Sequence, residues 1–364
     1  MGHFLSPEPR RTRRSARLFG ALGGALGALA IAAVPAFACG GLIGPNGAVN
    51  LVNTTTLAAY HDGIEHYVTS FEFAGGGGQF GSLVPLPGVP TDVVRGGDWT
   101  LQRLVRETSP VLDQAFRVNA EAASSQGAEI LLEVRIDALD ITVLRGGSNE
   151  VGQWATDHGF RLPPDAPEVL DFYADRSPIF LAAVFDADAA AERGQAIGDG
   201  TPVHITIPTD NPWVPLRILA LGKSAAERVE ADVYLLTDRA PQMLPAPANA
   251  ANGLFLEYFA PASDLLLDDL RSDAGMGWIP ETAFLTKVGI DAAAPQLSFD
   301  LAIDASGAGQ PSPIRAGLSA GAAAVATTVA TFGWPVAVSV ALTAAIWFSA
   351  WTLGRRRFAQ QDLA

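Results

Sequence analysis

From Ala316 to Gly354 the chain carries no charged residue, and Gly333–Leu353 within that run is 21 residues long. As a helix rising ~1.5 Å per residue, such a segment spans roughly 30 Å, the thickness of a bilayer's hydrocarbon core. Only a structure that satisfies its own backbone groups can cross that core, and a single helix does so. Trp334 sits at one end, with Trp347, Phe348 and Trp351 near the other, the spacing of interfacial aromatic belts. Pro335 falls in the first turn, where its missing N–H costs little. Arg355, Arg356 and Arg357 follow at once and favour the cytoplasmic side. The segment therefore reads as one transmembrane helix, 333–353, with a short cytoplasmic tail, 354–364, and the rest of the mass outside. A hairpin is the alternative. Ala316–Phe332 is also apolar and Gly333-Trp334-Pro335 could turn, but that would set three arginines outside.

The N-terminus reads as a signal peptide, 1–38. Arg10, Arg11, Arg13, Arg14 and Arg17 form a charged opening, and Leu18–Val34 forms an apolar stretch. Pro35 breaks it, and Ala36 and Ala38 supply the small residues that a signal peptidase needs. Cleavage after Ala38 makes Cys39 the mature N-terminus. Two alternatives stay open. Cys39 could carry lipid, although Ala36 and Phe37 fit a lipobox poorly. Thr12-Arg13-Arg14 is similar to a twin-arginine signal, although Ala16 replaces the expected large apolar residue.

Between these ends lie 16 basic and 36 acidic residues, a net of −20. Such a domain repels nucleic acid, so none is expected as a partner. Cys39 is the only cysteine, so no intramolecular disulfide can form and the fold must hold by packing.

The ectodomain divides at the small-residue stretch Ala120–Gly127 into a β-rich region, 39–126, and an α+β region, 127–304. An Ala/Gly/Pro-rich linker, 305–332, follows. Thr54–Tyr60 and Ile64–Ala74 read as strands, joined by a tight turn at Asp62-Gly63. Leu83–Pro90 (LVPLPGVP) reads as an edge strand or extended segment, because proline cannot donate to a central ladder. Asp98 is positioned to cap a helix over Trp99–Glu107. Further strands are expected at 130–136, 140–144, 179–185, 203–207, 216–221, 229–236, 254–259 and 296–303. Helices are expected from Ser148 to before Gly159, with Trp154 facing the core, at 167–173, and from Ser263 to about Arg271. Helices this few and irregular exclude repeated βαβ units. The expected class is α+β, a β-rich antiparallel ectodomain plus one C-terminal transmembrane helix.

Familiar active-site motifs fail on context. Gly76–Gly81 fits GxGxxG, but LVPLPGVP follows where a dinucleotide site needs a helix. Gly222-Lys223-Ser224 lacks the earlier glycine of a P-loop, since Arg217 stands there. Gly317–Gly321 fits GxSxG, but no histidine follows His204. His61, His66, His158 and His204 show no metal-ligand spacing and read as surface or hairpin residues, with His204 on the polar face of its strand. Asp264, Asp268, Asp269 and Asp273 read as a solvated face over a leucine stripe rather than a calcium loop. No catalytic, metal or cofactor residue is assigned. The residues singled out are those of processing (Ala36, Ala38, Cys39) and of the anchor flanks (Trp334, Trp347, Trp351, Arg355, Arg356, Arg357).

Four stretches, in order, carry a family resemblance: Ala38-Cys39-Gly40-Gly41, Phe71–Pro90, Trp154–Asp186 and Ile207–Gly222. The chain resembles the bacterial family known as domain of unknown function 2330. The resemblance implies an exported envelope protein, often tethered to the membrane, and supplies no activity, ligand or catalytic residue. Many members carry more cysteines after the opening Cys-Gly-Gly, so no disulfide or redox feature is carried over. The expected function is a binding or interaction ectodomain at the outer face of the cell membrane, leaning away from an enzyme. The bilayer is one expected partner and another envelope protein or polymer the other. The alternatives are an envelope hydrolase working through carboxylates and an accessory subunit of a membrane complex.

Overall fold

A computed structural model describes residues 41–44, 47–48, 54–72, 80–109, 129–194, 200–305 and 311–318. Ala36, Ala38, Cys39, the boundary near residue 126, the segment 333–353 and its flanking Trp334, Trp347, Trp351, Arg355, Arg356 and Arg357 lie outside the described residues. Among the described residues no helix is long and apolar enough to cross a membrane.

In chain order the strands are β1 (Gly41–Gly44), β2 (Gly47–Ala48), β3 (Thr54–His61), β4 (Ile64–Glu72), β5 (Phe80–Leu86), β6 (Asp92–Arg95), β7 (Glu129–Ile136), β8 (Leu139–Arg145), β9 (Ile179–Phe185), β10 (Gly200–Pro208), β11 (Trp213–Val214), β12 (Arg228–Thr237), β13 (Gln242–Leu244), β14 (Leu254–Pro261), β15 (Phe284–Ala293) and β16 (Leu301–Asp304). The helices are α1 (Thr100–Thr108), α2 (Ser148–Asp157), α3 (Ala166–Ala174), α4 (Ala187–Glu192) and α5 (Asp264–Ser272). The fold is β-rich α+β, with antiparallel and mixed sheets.

Asp62 and Gly63 adopt φ of 52° and 80°, the left-handed pair that a two-residue hairpin turn requires, and they set Tyr60 opposite Glu65. From this hairpin grows a seven-stranded sheet in the order β14-β15-β12-β3-β4-β10-β6. It is mixed because β12 runs parallel to β3. A six-stranded sheet runs β2-β1-β5-β9-β8-β7, and a three-stranded one β11-β16-β13. Chain from both sides of the stretch 120–127 enters both larger sheets.

Strand alternation divides the seven-stranded sheet into two faces. On one, Ala58, Tyr67, Phe71, Val203, Ile205 and Val233 join Val84, Ile141, Val143 and Leu181 of the six-stranded sheet in one continuous core. On the other, Leu57, Ala59, Val68, Tyr234, Leu236 and Leu285 meet Leu101 and Leu104 of α1 and Leu266, Leu267 and Leu270 of α5. Each of those three α5 leucines is fully buried and stabilises by roughly 1.5–3 kcal/mol. Ser263 caps that helix by accepting the Leu266 amide, as its sequence indicates. Trp154 is 1% exposed and faces the core, also as expected.

Five local expectations are corrected. Leu216–Leu221 is not a strand but holds a 3-10 turn, Arg217–Ala220. Its amides go to side chains: Leu216 and Arg217 donate to Asp300, and Ile218 donates to the Tyr173 hydroxyl. Asp98 does not cap α1; its carboxylate pairs with Arg95, and Asp273 instead holds the chain entering the helix by accepting the Asp98 and Trp99 amides. β5 is interior to its sheet rather than at an edge, and Pro85 is tolerated because β1 pairs only with Gly81–Leu83. The last strand is shorter than 296–303, starting only at Leu301 after a 3-10 turn. β15, a ten-residue strand paired on both sides, is an element the sequence reading lacks.

The stretch 311–318 packs on the fold. Arg176 donates to the Arg315 carbonyl, the Asp300 amide donates to the Ala316 carbonyl, and Ala316 is fully buried.

Candidate functional site

The seven-stranded sheet's second face carries a cluster of three rings. β4 and β10 pair with His66 opposite Thr206 and His204 opposite Val68, which makes the two histidines diagonal neighbours on one face. His66 Nδ1 and His204 Nε2 lie 2.9 Å apart, so in the neutral pair one nitrogen donates and the other accepts. The Trp278 ring covers both, 3.9 Å from His66 at 4° and 5.0 Å from His204 at 24°. Trp278 lies on the loop after α5, and Asp273 anchors that loop by accepting the Asp98 and Trp99 amides and the Thr100 hydroxyl.

This cover explains why the sequence misleads about His204. Its face is the expected one, opposite Val203, Ile205 and Ile207. It is nevertheless 4% exposed, because the shield comes from a distant loop. Burial holds both imidazoles down to about 4, and the neighbouring His204 and His61 add to the effect on His66. Both rings are therefore neutral at physiological pH. Among the described residues His204 Nδ1 and Trp278 Nε1 are buried without a hydrogen-bond partner. Two neutral imidazoles under an indole can relay a hydrogen bond or offer two nitrogen ligands. Among the described residues no three His, Cys, Asp or Glu side chains are arranged to hold a metal.

The other histidines are placed more simply. His61 contacts Asp238 and Asp62 at the hairpin tip, and His158 closes α2 against the Trp154 carbonyl.

Most buried charges serve the fold. Asp300 accepts from Tyr173, Arg176 and two amides, and Arg176 rests against Phe172, Tyr173 and Trp213. Lys287 bridges Asp232 at 3.1 Å and Glu257 at 2.7 Å. Arg135 joins Asp140 at 3.3 Å and Asp186 at 2.9 Å. Burial raises the Asp140 carboxyl, while the Ala189 amide lowers that of Asp186, whose Oδ1 also caps α4. Asp186 is thus spent on structure, which removes it as a free base or nucleophile. Of the acidic helix group, Asp273 accepts the Trp99 amide at the entry to α1, Asp269 pairs with Arg103 and Asp268 with Arg271.

Glu65 differs. It is fully buried, and burial pushes its carboxyl well above the ordinary range, with the Trp213 amide acting in the opposite direction. Among the described residues neither Glu65 oxygen reaches hydrogen-bond geometry with a partner.

One edge of the same sheet is apolar and open. Among the described strands β14 pairs with β15 alone, and past the Asn249 bridge to Leu254 its other side carries no strand. A β-bulge between Leu256 and Tyr258 shifts the register, with Leu256 opposite Val288 and Phe259 opposite Thr286. Residues three apart normally face opposite ways; here the bulge brings Leu256 and Phe259 to one side. Each is 46% exposed, and Phe259 meets Phe284 edge to face at 4.7 Å.

No curated protein matches the sequence. Among solved structures, mutated baculovirus P35 after caspase cleavage is similar at 6% identity, covering 71% of this chain and 98% of that chain with a TM-score of 0.36. Baculovirus P35 itself is similar at 10% identity, covering 70% and 90%, with a TM-score of 0.34. Scores this low bear on neither fold nor function. The family described as "uncharacterized protein conserved in bacteria", DUF2330, matches over residues 33–304, in keeping with the motifs between Cys39 and Gly222, and the chain belongs to that family.

Proposed function

We propose that the chain is exported, is held at the outer face of the cell membrane by a helix over 333–353, and works there as a binding ectodomain for another envelope protein. The observation that carries this reading is the apolar edge at Leu256, Phe259 and Phe284. Exposed large apolar side chains on a free sheet edge suit docking of a partner strand, where main-chain hydrogen bonds supply affinity and side-chain pockets supply specificity. Natural edges are usually blunted by charge, proline or a bulge. Here Pro261 ends the strand, and Glu257 in the bulge, itself 46% exposed, is paired with Lys287, while Leu256 and Phe259 stay exposed beside it. The domain's acidity favours a partner with basic flanks.

A photo-crosslinking residue at Phe259 in the membrane-bound protein tests this. A single stoichiometric adduct is expected, absent when the crosslinker stands at Asn149 on α2 and lost with Leu256→Glu. Equal crosslinking from both positions, or adducts to lipid alone, would refute the docking role.

A further inference from the structure

We propose that His66 and His204 hold one two-coordinate, monovalent d10 cation of the copper(I)/silver(I) class between His66 Nδ1 and His204 Nε2, beneath the indole of Trp278. Three features of the ring cluster carry this, independently of the sheet edge.

The first is direction. The two nitrogens face each other across 2.9 Å, and a linear two-coordinate ion sits on that line. Two metal–imidazole bonds of about 2.0 Å place the nitrogens about 4 Å apart, so the rings must separate by about 1 Å. His66 is only partly buried and Trp278 lies on a loop, so both can give.

The second is the number of ligands. No third imidazole or carboxylate converges among the described residues, which disfavours zinc or calcium with their four or more ligands. Imidazole suits copper, and a linear pair suits its monovalent state.

The third is the cover. The Trp278 ring lies 3.9 Å and 5.0 Å from the two imidazole centroids, so its electron-rich face overlies the line on which the ion would sit. That is the arrangement in which an indole attracts a cation most strongly. Hydrogen balance closes without release to solvent. The hydrogen shared between the rings moves to the other nitrogen of its own imidazole, and among the described residues His204 Nδ1 has no partner that would resist this.

Silver(I) is the probe, titrated in chloride-free buffer into the full chain carrying Cys39→Ser to remove its only thiol. Calorimetry should show one equivalent bound, with a matching change in tryptophan fluorescence. His66→Ala, at the partly exposed ring, should weaken binding at least 100-fold, as should His204→Phe. Trp278→Leu should keep the stoichiometry and lose the optical change. Met276→Leu should bind as the parent does. Absence of a saturable one-equivalent event, binding that survives His66→Ala, or loss of binding in Met276→Leu would each overturn the assignment.

Discussion

Asp273 Oδ2 accepts the Thr100 hydroxyl at 2.8 Å and so ties the end of α5 to the first turn of α1. The same oxygen takes the Trp99 amide at 2.9 Å, and Oδ1 takes the Asp98 amide at 3.0 Å. The carboxylate is 4% exposed. Removing it strands the buried Thr100 hydroxyl and two part-buried amides, at about 1–3 kcal/mol for each donor left unsatisfied. Asp273→Ala should therefore cost about 3 kcal/mol in urea unfolding, and Asp273→Asn, which keeps one acceptor, clearly less. Gly97→Ala should be as harmful as Asp273→Ala, because its Cβ would land on the Asp273 carboxylate and the Thr100 hydroxyl. Equal stability of Gly97→Ala and the parent would mean that the clamp is looser than described.

A second prediction concerns Arg176 and Asp300. Asp300 is fully buried, and among the described residues Arg176 is its one cationic partner. Breaking a buried pair from one side leaves an uncompensated charge at about 3–5 kcal/mol. Arg176→Met should fall in that range, and Arg176→Met with Asp300→Asn should cost less than the two changes added together. Arg176 also holds the Arg315 carbonyl, so Arg176→Met should speed tryptic cleavage after Arg315. An unchanged cleavage rate would show that the stretch 311–318 is held by Ala316 and Leu318 packing instead.

The same residues show what could be read from the sequence. The β3–β4 hairpin was legible because its turn chemistry is local, in Asp62 and Gly63. β15 was missed although Val288, Ile290 and Ala292 alternate with Lys287, Gly289 and Asp291. Gly289 in mid-run imitates a break, whereas the structure needs it empty for the Glu257 side chain that crosses to Lys287. Leu216–Leu221 looked like a strand because nothing nearby reveals that Asp300 and Tyr173 will capture its amides. The ring cluster was half legible. Alternation set the face of His204, but its burial depends on Trp278, and no spacing rule links a strand to a loop so far along the chain.

Alkaline pH supplies a third prediction. Burial pushes the Tyr234 hydroxyl up to about 12. Lys287 is also raised: burial works against its charge, and the Glu257 hydrogen bond with the charges of Tyr234 and Asp232 outweighs that. Both folded-state values lie above those of the unfolded chain. The stabilisation is therefore complete below about pH 10 and is lost as pH rises from there. For Tyr234, which is fully buried, the loss reaches about 2 kcal/mol by pH 12. Urea midpoints measured from pH 8 to 11 should begin to drop above pH 10, and Tyr234→Phe should flatten part of that drop. A drop of the same steepness in Tyr234→Phe would assign it to other groups.

The proposed topology makes the last prediction, and the single cysteine makes it testable. In a Cys39→Ser background, Asn149→Cys puts one thiol on an exposed position of α2, and Gln361→Cys puts one in the tail. If the segment 333–353 spans once, an impermeant maleimide should label Asn149→Cys in intact cells and Gln361→Cys only after the membrane is opened. The arginines at 355–357 should hold that orientation. Arg355→Glu with Arg356→Glu and Arg357→Glu should weaken it and expose a fraction of the tail outside. Labelling of both positions in intact cells would favour a hairpin over one span. Protection of Asn149→Cys would place the ectodomain inside and remove the basis for an envelope partner.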